Sequence, residues 1–170
     1  FLKSQNQGLI LKILREKGSI TRAQLSKEIG IVRSTVSEIT NEMVDLGIIN
    51  EGKKVEGNIG KRPTLLYFNK DFYYFISVAI TEMNVIIAIC NLNGEIIKEE
   101  SMDFNNDITA KEILDSVFLI IDREIKKLGK QKICLISLGS PETLNIRTGK
   151  IKWAPYIKDW FGLDLKELFK

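Results

Sequence analysis

The sequence contains no histidine. That removes histidine general bases, Ser-His-Asp triads and every zinc site that uses imidazole. Its two cysteines, Cys90 and Cys134, are too few for a disulfide framework or an all-cysteine zinc site. A reducing, cytoplasmic setting is therefore expected, with no metal and no cofactor. No apolar run approaches the ~18 residues that span a bilayer, and the opening FLKSQNQG does not form a signal peptide. No membrane partner is expected. A starting Met is also missing, which points to a piece of a longer chain. What remains is ordinary globular composition, 44% hydrophobic and 28% charged over 170 residues. That length holds one domain, or a small one and a medium one.

The net charge of +3 hides an asymmetry. Residues 1–70 carry 12 Lys+Arg against 7 Asp+Glu, whereas residues 71–170 carry 13 against 15. The basic excess belongs to the first part, as in a polyanion-binding module or a lysine-rich solvated surface.

Hydrophobic periodicity changes near residue 70. Before it the period is helical. Leu9, Ile10, Ile13 and Leu14 mark one face of a helix over roughly 5–17, stopped by Gly18. Thr21 caps a second helix from Arg22 to about Ile29, with Leu25 and Ile29 inward and Gly30 after it. A third helix, about 33–46, places Val36, Ile39, Met43 and Leu46 on one face, closed by Gly47. Two extended runs follow, Ile48–Val55 and Thr64–Asn69, joined by a polar, Gly-rich turn.

After residue 70 the pattern is strand-like. Phe72–Thr81, Asn84–Leu92 and Glu95–Phe104 read as strands. Asn93-Gly94 predicts a type I′ hairpin turn, with positive φ at both central residues. Residues 109–128 form an amphipathic helix. Lys132–Leu138 reads as a strand buried on both faces, and a short helix starts near Asp164. Cys90 and Cys134 are expected to be buried strand residues. Leu138-Gly139-Ser140-Pro141 superficially matches a nucleophile elbow, but the second glycine and any histidine are lacking, so no catalytic residue is assigned.

The layout of residues 6–69 is that of a winged helix-turn-helix, in which the third helix enters the major groove of DNA. With Val36 inward, Arg33, Ser34, Thr35, Ser37 and Glu38 face outward, and Asn41 lies one turn on. Small hydroxyls allow close approach to base edges and bond to donors or acceptors alike. Arg22 is placed to grip the backbone. Lys61 and Arg62, on the Gly57–Pro63 turn, suit the negative potential of the narrow minor groove. Double-stranded operator DNA is the expected partner of these residues. The competing reading is a solvated helical domain with an ordinary basic hairpin loop. Val32 stands where the third helix needs an N-cap, so the helix starts at Ser34 or a DNA phosphate supplies the missing acceptor.

The run NQGLILKILREKGSITRAQLSKEIGIVRSTVSEITNEMVDLGII, followed by GNIGKRPTLLYFN, closely resembles the N-terminal part of the ROK (repressor and sugar-kinase) family, of xylose or N-acetylglucosamine repressor type. YYFISVAITEMNVIIAICNLNGEII and LISLGSPETLNIRTGKIKWAPYIKDWFGLDLKELF resemble the first hairpin and the glycine–x–proline strand end of the same family. The resemblance implies an α+β chain. Residues 1–70 would be a winged helix-turn-helix DNA-binding domain. Residues 71–170 would be part of an actin-like, ribonuclease-H-like sugar-kinase α/β domain. It implies a transcriptional regulator, a repressor of carbohydrate-related genes, that forms a homo-oligomer and responds to a sugar through Glu142, Tyr156 and Trp160; Trp153 and Trp160 suit stacking on a sugar face, with core packing the favoured alternative.

Three departures bear on that expectation. Ala79-Ile80-Thr81-Glu82-Met83 stands where the family's kinases have Asp-x-Gly-Gly-Thr. Glu142 replaces the glycine usual after the proline, and Tyr156 replaces an asparagine of the sugar pocket. Without glycines and with Glu82 present, a phosphate cradle is not formed and no phosphoryl transfer is expected. A sugar kinase with an accessory N-terminal domain, and a ligand-independent DNA-binding protein, are the alternatives.

Overall fold

A computed structural model of the chain describes residues 2–54, 63–105, 107–140, 142–153 and 157–169. They fall into two compact units, residues 1–72 and 73–170.

The first unit runs α1 (Leu2–Lys17), β1 (Ser19–Thr21), α2 (Arg22–Ile29), α3 (Arg33–Asp45), β2 (Ile49–Lys54) and β3 (Thr64–Phe68). The strands form an antiparallel sheet in the order β1-β3-β2. Ile10 and Leu14 of α1, Leu25 of α2, Val36 and Met43 of α3, and Leu66 of β3 close one apolar core. Each such side chain contributes about 1.5–3 kcal/mol by leaving water. Thr21 starts α2 with a reciprocal cap, its hydroxyl accepting from the Gln24 N–H while the Gln24 side chain accepts from the Thr21 N–H. Gly30 ends α2 at φ 75°, a conformation that a side chain would strain. Two expected inward residues turn out exposed. Leu9 falls one position off the stripe formed by Ile10, Ile13 and Leu14. Leu46 sits at the C-cap of α3, where the chain turns at Gly47, and Ile49 takes the inward place. The short strand β1 is an addition to the sequence reading.

The second unit runs β4 (Tyr74–Ile80), β5 (Asn84–Asn91), β6 (Ile96–Asp103), α4 (Ala110–Leu128), a 3-10 turn (Lys130–Lys132), β7 (Ile133–Gly139), β8 (Thr143–Leu144), β9 (Ile151–Trp153) and α5 (Leu165–Leu168). Its main sheet has the order β6-β5-β4-β7, with β7 parallel to β4 and the other pairs antiparallel. Alternate residues of β4 and β5, among them Ile76, Val78, Val85 and Ile87, share a core with Ile113 and Val117 of α4. β8 and β9 form a separate small hairpin. No helix among the described residues is long and apolar enough to cross a membrane.

Three expectations for this unit need correction. The β5–β6 hairpin forms, but Asn93 does not adopt positive φ; Gly94 alone does, at 79°. The Asn91 side chain explains this. Its Oδ1 accepts from the N–H groups of Asn93 (3.0 Å) and Glu95 (3.1 Å), building a three-residue loop with Gly94 as the left-handed residue. β7 is not buried on both faces: among the described residues no strand pairs with its outer side, and Leu135 is 57% exposed. Cys134 shares that edge and is exposed, its thiol donating to the Tyr74 carbonyl at 3.2 Å, whereas Cys90 is buried.

A charge network ties α4 to β6. Glu124, 4% exposed, accepts from Lys98 (2.7 Å), Arg123 (2.8 Å) and Lys127 (3.3 Å), and Arg123 also bonds Glu100. Burial alone would raise the Glu124 pKa, but those donors outweigh it and hold it at about 2. Hydrogen bonds from Arg123 and then Lys98 hold Glu100 at about 2 as well.

Candidate nucleic-acid interface

α3 buries Val36, Ile39, Thr40 and Met43. Its helical period therefore leaves Arg33, Ser34, Glu38 and Asn41 exposed and Thr35 and Ser37 half-buried. The Thr40 hydroxyl donates to the Val36 carbonyl at 2.8 Å. That leaves its oxygen free to accept from Arg22 Nε at 2.9 Å. Arg22 Nη2 donates to Asn41 Oδ1 at 2.8 Å and pairs with Glu51 of β2 at 2.6 Å. One side chain from the start of α2 thus fastens α3 and β2 together.

This arrangement changes the expectation for two residues. The Arg22 side chain is only 23% exposed, and its guanidinium is engaged inside the unit rather than extended toward a backbone phosphate. Asn41 stays on the exposed face, but its Oδ1 is committed to Arg22.

The turn into α3 is held from the other side. Gly30 takes the left-handed conformation and the Ser26 hydroxyl donates to the Ile31 carbonyl at 2.6 Å. The helix begins at Arg33, not Ser34, with Val32 as the N-cap and no side-chain capping bond. Lys61 and Arg62 lie outside the described residues.

The second unit holds a cavity of about 540 Å³, lined in part by Gly139, Ser140, Glu142, Ile146, Lys166 and Phe169. Ser140 Oγ, both carboxylate oxygens of Glu142 and Trp160 Nε1 are buried with no hydrogen-bond partner among the described residues. A buried polar group left this way costs about 1–3 kcal/mol. Burial pushes the Glu142 carboxyl up; its own backbone N–H and the neighbouring Trp160 indole partly offset this, the indole without closing a hydrogen bond of normal geometry. Glu142 thus stays a candidate contact. Trp160 is corrected to a core residue: it is 0% exposed, clusters with Ile151 and Leu165, and is not among the residues lining the cavity. Tyr156 lies outside the described residues.

The Thr81–Asn84 segment is a closed hairpin turn. The Thr81 hydroxyl accepts from the N–H groups of Met83 (3.2 Å) and Asn84 (3.0 Å), and the Thr81 N–H donates to the Asn84 carbonyl at 2.8 Å. Backbone donors that a phosphate would need are already in use within the turn.

Comparison with known proteins decides the kinship. Residues 3–50 match the family model described as winged helix-turn-helix DNA-binding. A relative from Caldicellulosiruptor sp. (strain Rt8B.4) is 30% identical over 169 residues, and the xylose repressor of Caldicellulosiruptor bescii is 28% identical over the same length. Each match covers 98% of this chain and 42% of the relative. The DNA-binding transcriptional repressor Mlc of Escherichia coli is 22% identical over 173 residues, covering 98% of this chain and 41% of Mlc. Among solved structures, a ROK family transcriptional regulator homologous to E. coli Mlc superposes with a TM-score of 0.67 at 24% identity, over 99% of this chain and 43% of that one. Over nearly its whole length the chain is similar to curated repressors and shares the fold of a ROK family regulator. It is α+β, a winged helix-turn-helix followed by part of the ROK α/β fold, and spans 42% of the length of the first curated relatives.

The ROK resemblance did not reveal the brace. Arg22, Thr40 and Glu51 meet from different elements, and no local spacing announces their contact. One signal was available: Thr40 falls in helical phase with Val36 and Met43, on the buried face, where its hydroxyl needs a partner. Ser140 and Lys166 were missed for the same reason, since they meet at the cavity only after the chain has folded back.

Proposed function

We propose that this chain is a member of the ROK family and a sequence-specific DNA-binding transcriptional regulator, a repressor of carbohydrate-related genes acting in the cytoplasm on an operator. The carrying observation is the outer face of α3, polar along its length and held rigid from behind by Arg22. Arg33, Ser34, Thr35, Ser37 and Glu38 choose bases in the major groove, and Lys61 and Arg62 add affinity from the wing. Relatives named as repressors support the regulatory role. Two copies on one duplex would read half-sites about 34 Å apart. Selection from random duplexes tests this. A Thr35→Ala chain should select a different consensus, losing about 1–3 kcal/mol at one base pair. The same consensus for both proteins would remove α3 as the reader.

A sugar effector fits the cavity of the second unit, where Ser140 and Glu142 offer a polyhydroxylated ligand polar atoms that have no partner among the described residues. Titration with xylose and with N-acetylglucosamine, followed by tryptophan fluorescence, should show saturable binding to one of them that Glu142→Ala weakens at least tenfold. A flat response to both would leave the ligand-independent reading. The kinase alternative is disfavoured by the closed Thr81–Asn84 turn. Sugar-stimulated ATP turnover in a coupled assay would reinstate it.

A further inference from the structure

The turn into α3 presents one side chain that the fold does not use. Ile31 is partly buried and packs against the core, and its carbonyl is held by Ser26. With Gly30 and Ile31 held, Val32 is directed outward and is 67% exposed. It occupies the N-cap, where Ser, Thr, Asn or Asp would satisfy a free N–H, and it makes no capping bond. Its exposed neighbours Arg33 and Ser34 are polar. The leading edge of the helix thus carries a stiff, branched apolar group that stabilises nothing in the free protein.

The major groove contains one matching feature. Base edges there are donors and acceptors, except for the C5 methyl group of thymine. A helix entering by its N-terminal end brings the residues of its first turn against those edges. We infer that Val32 is a specificity-determining residue that packs against a thymine C5 methyl. This rests on α3 being the DNA reader, and adds a requirement for thymine at one defined position of each half-site.

Deoxyuridine tests this because it removes the methyl group and leaves every hydrogen-bonding edge intact. The duplex selected by the wild-type chain is resynthesised with single thymine-to-deoxyuridine replacements and titrated with wild type, Val32→Ser and Val32→Thr. For wild type, one position per half-site should lose about fourfold in affinity, the worth of one buried methyl. Val32→Thr keeps a methyl and should keep the penalty. Val32→Ser should bind thymine and deoxyuridine duplexes equally. Both variants restore a capping hydroxyl, so their thermal midpoints should match or exceed wild type, which separates lost reading from lost folding. The inference falls if wild type is indifferent to every replacement, or if Val32→Ser keeps the penalty. Failure to select any duplex would overturn the DNA reading itself, and this inference with it.

Discussion

The two units treat polar groups in opposite ways. In the first, the described buried polar side chains, Thr21 and Thr40, are hydrogen-bonded, and the uncommitted groups of α3 face water. In the second, Glu124 is fully paired, yet Ser140 and Glu142 bury polar atoms beside an open cavity with no partner among the described residues. A surface whose supporting bonds are complete is pre-organised and loses little freedom on meeting a rigid duplex. A cavity lined by orphaned polar atoms lowers the stability of the empty protein, and a ligand that supplies their bonds restores it.

Four measurements break or sharpen this contrast. The largest effect is expected from Leu25→Ala, which empties the core behind α2 and α3 and should cost about 2–5 kcal/mol in urea unfolding. Duplex binding should be lost with it; retained binding would mean that α3 does not need its support. Next comes Arg22→Ala. It frees Thr40, Asn41 and Glu51 at once and should cost about 1–3 kcal/mol. If Arg22 is a brace, the slope of log affinity against log salt stays as in wild type, whereas Arg62→Ala should flatten it by about 0.9. A flattened slope in Arg22→Ala would make Arg22 a phosphate contact instead.

Smaller is Glu142→Gln, expected to stabilise the ligand-free second unit by about 1 kcal/mol at pH 7, because burying a carboxyl that is ionised in the unfolded chain carries a cost that the neutral amide lacks. The sign follows from linkage. A carboxyl raised by burial binds its proton more tightly in the folded state, so wild-type stability falls as pH rises through that raised value. The gain from the substitution should fade below pH 4.5, and a gain independent of pH would place Glu142 outside the cavity's electrostatics. Smallest is the acid response of Glu124. Its pKa of about 2 lies below the ordinary 4.5, so its contribution is present above that value and is lost as pH falls toward 2. Thermal melts of Glu124→Gln should show a shallower loss over that interval than wild type; an equal slope would place the acid sensitivity elsewhere.

Much of the fold was legible in the sequence because it rests on local chemistry. The stripe Val36–Ile39–Met43, the Thr21 cap and the stop at Gly30 all follow from neighbours within about a turn of helix. The outward set on α3 was legible for the same reason, being the complement of a buried stripe. The errors lie where position in the whole decides exposure. Ile133–Gly139 is apolar enough for a central strand, yet among the described residues nothing pairs with its outer side, and Leu135 and Cys134 are open. Trp160 reads in sequence as either a sugar-stacking ring or a core residue, and the fold takes it into the core. Asn93-Gly94 met its hairpin, but the side chain of Asn91 chose the turn.

What the sequence determined by itself is therefore the order and kind of the elements, and which face of α3 stays free, since periodicity and caps act over a few residues. What only the tertiary structure decided is which of those residues are occupied. Arg22 reads as a free cation and becomes a brace, because Thr40, Asn41 and Glu51 reach it from elements 18 or more positions away. Glu142 reads as a candidate effector contact, and the fold makes it a buried carboxylate with no hydrogen-bond partner among the described residues, because the residues lining its cavity reach as far along the chain as Lys166 and Phe169. Desolvation and hydrogen-bond partnership depend on what arrives from distant parts of the chain, and no short window of sequence contains that information.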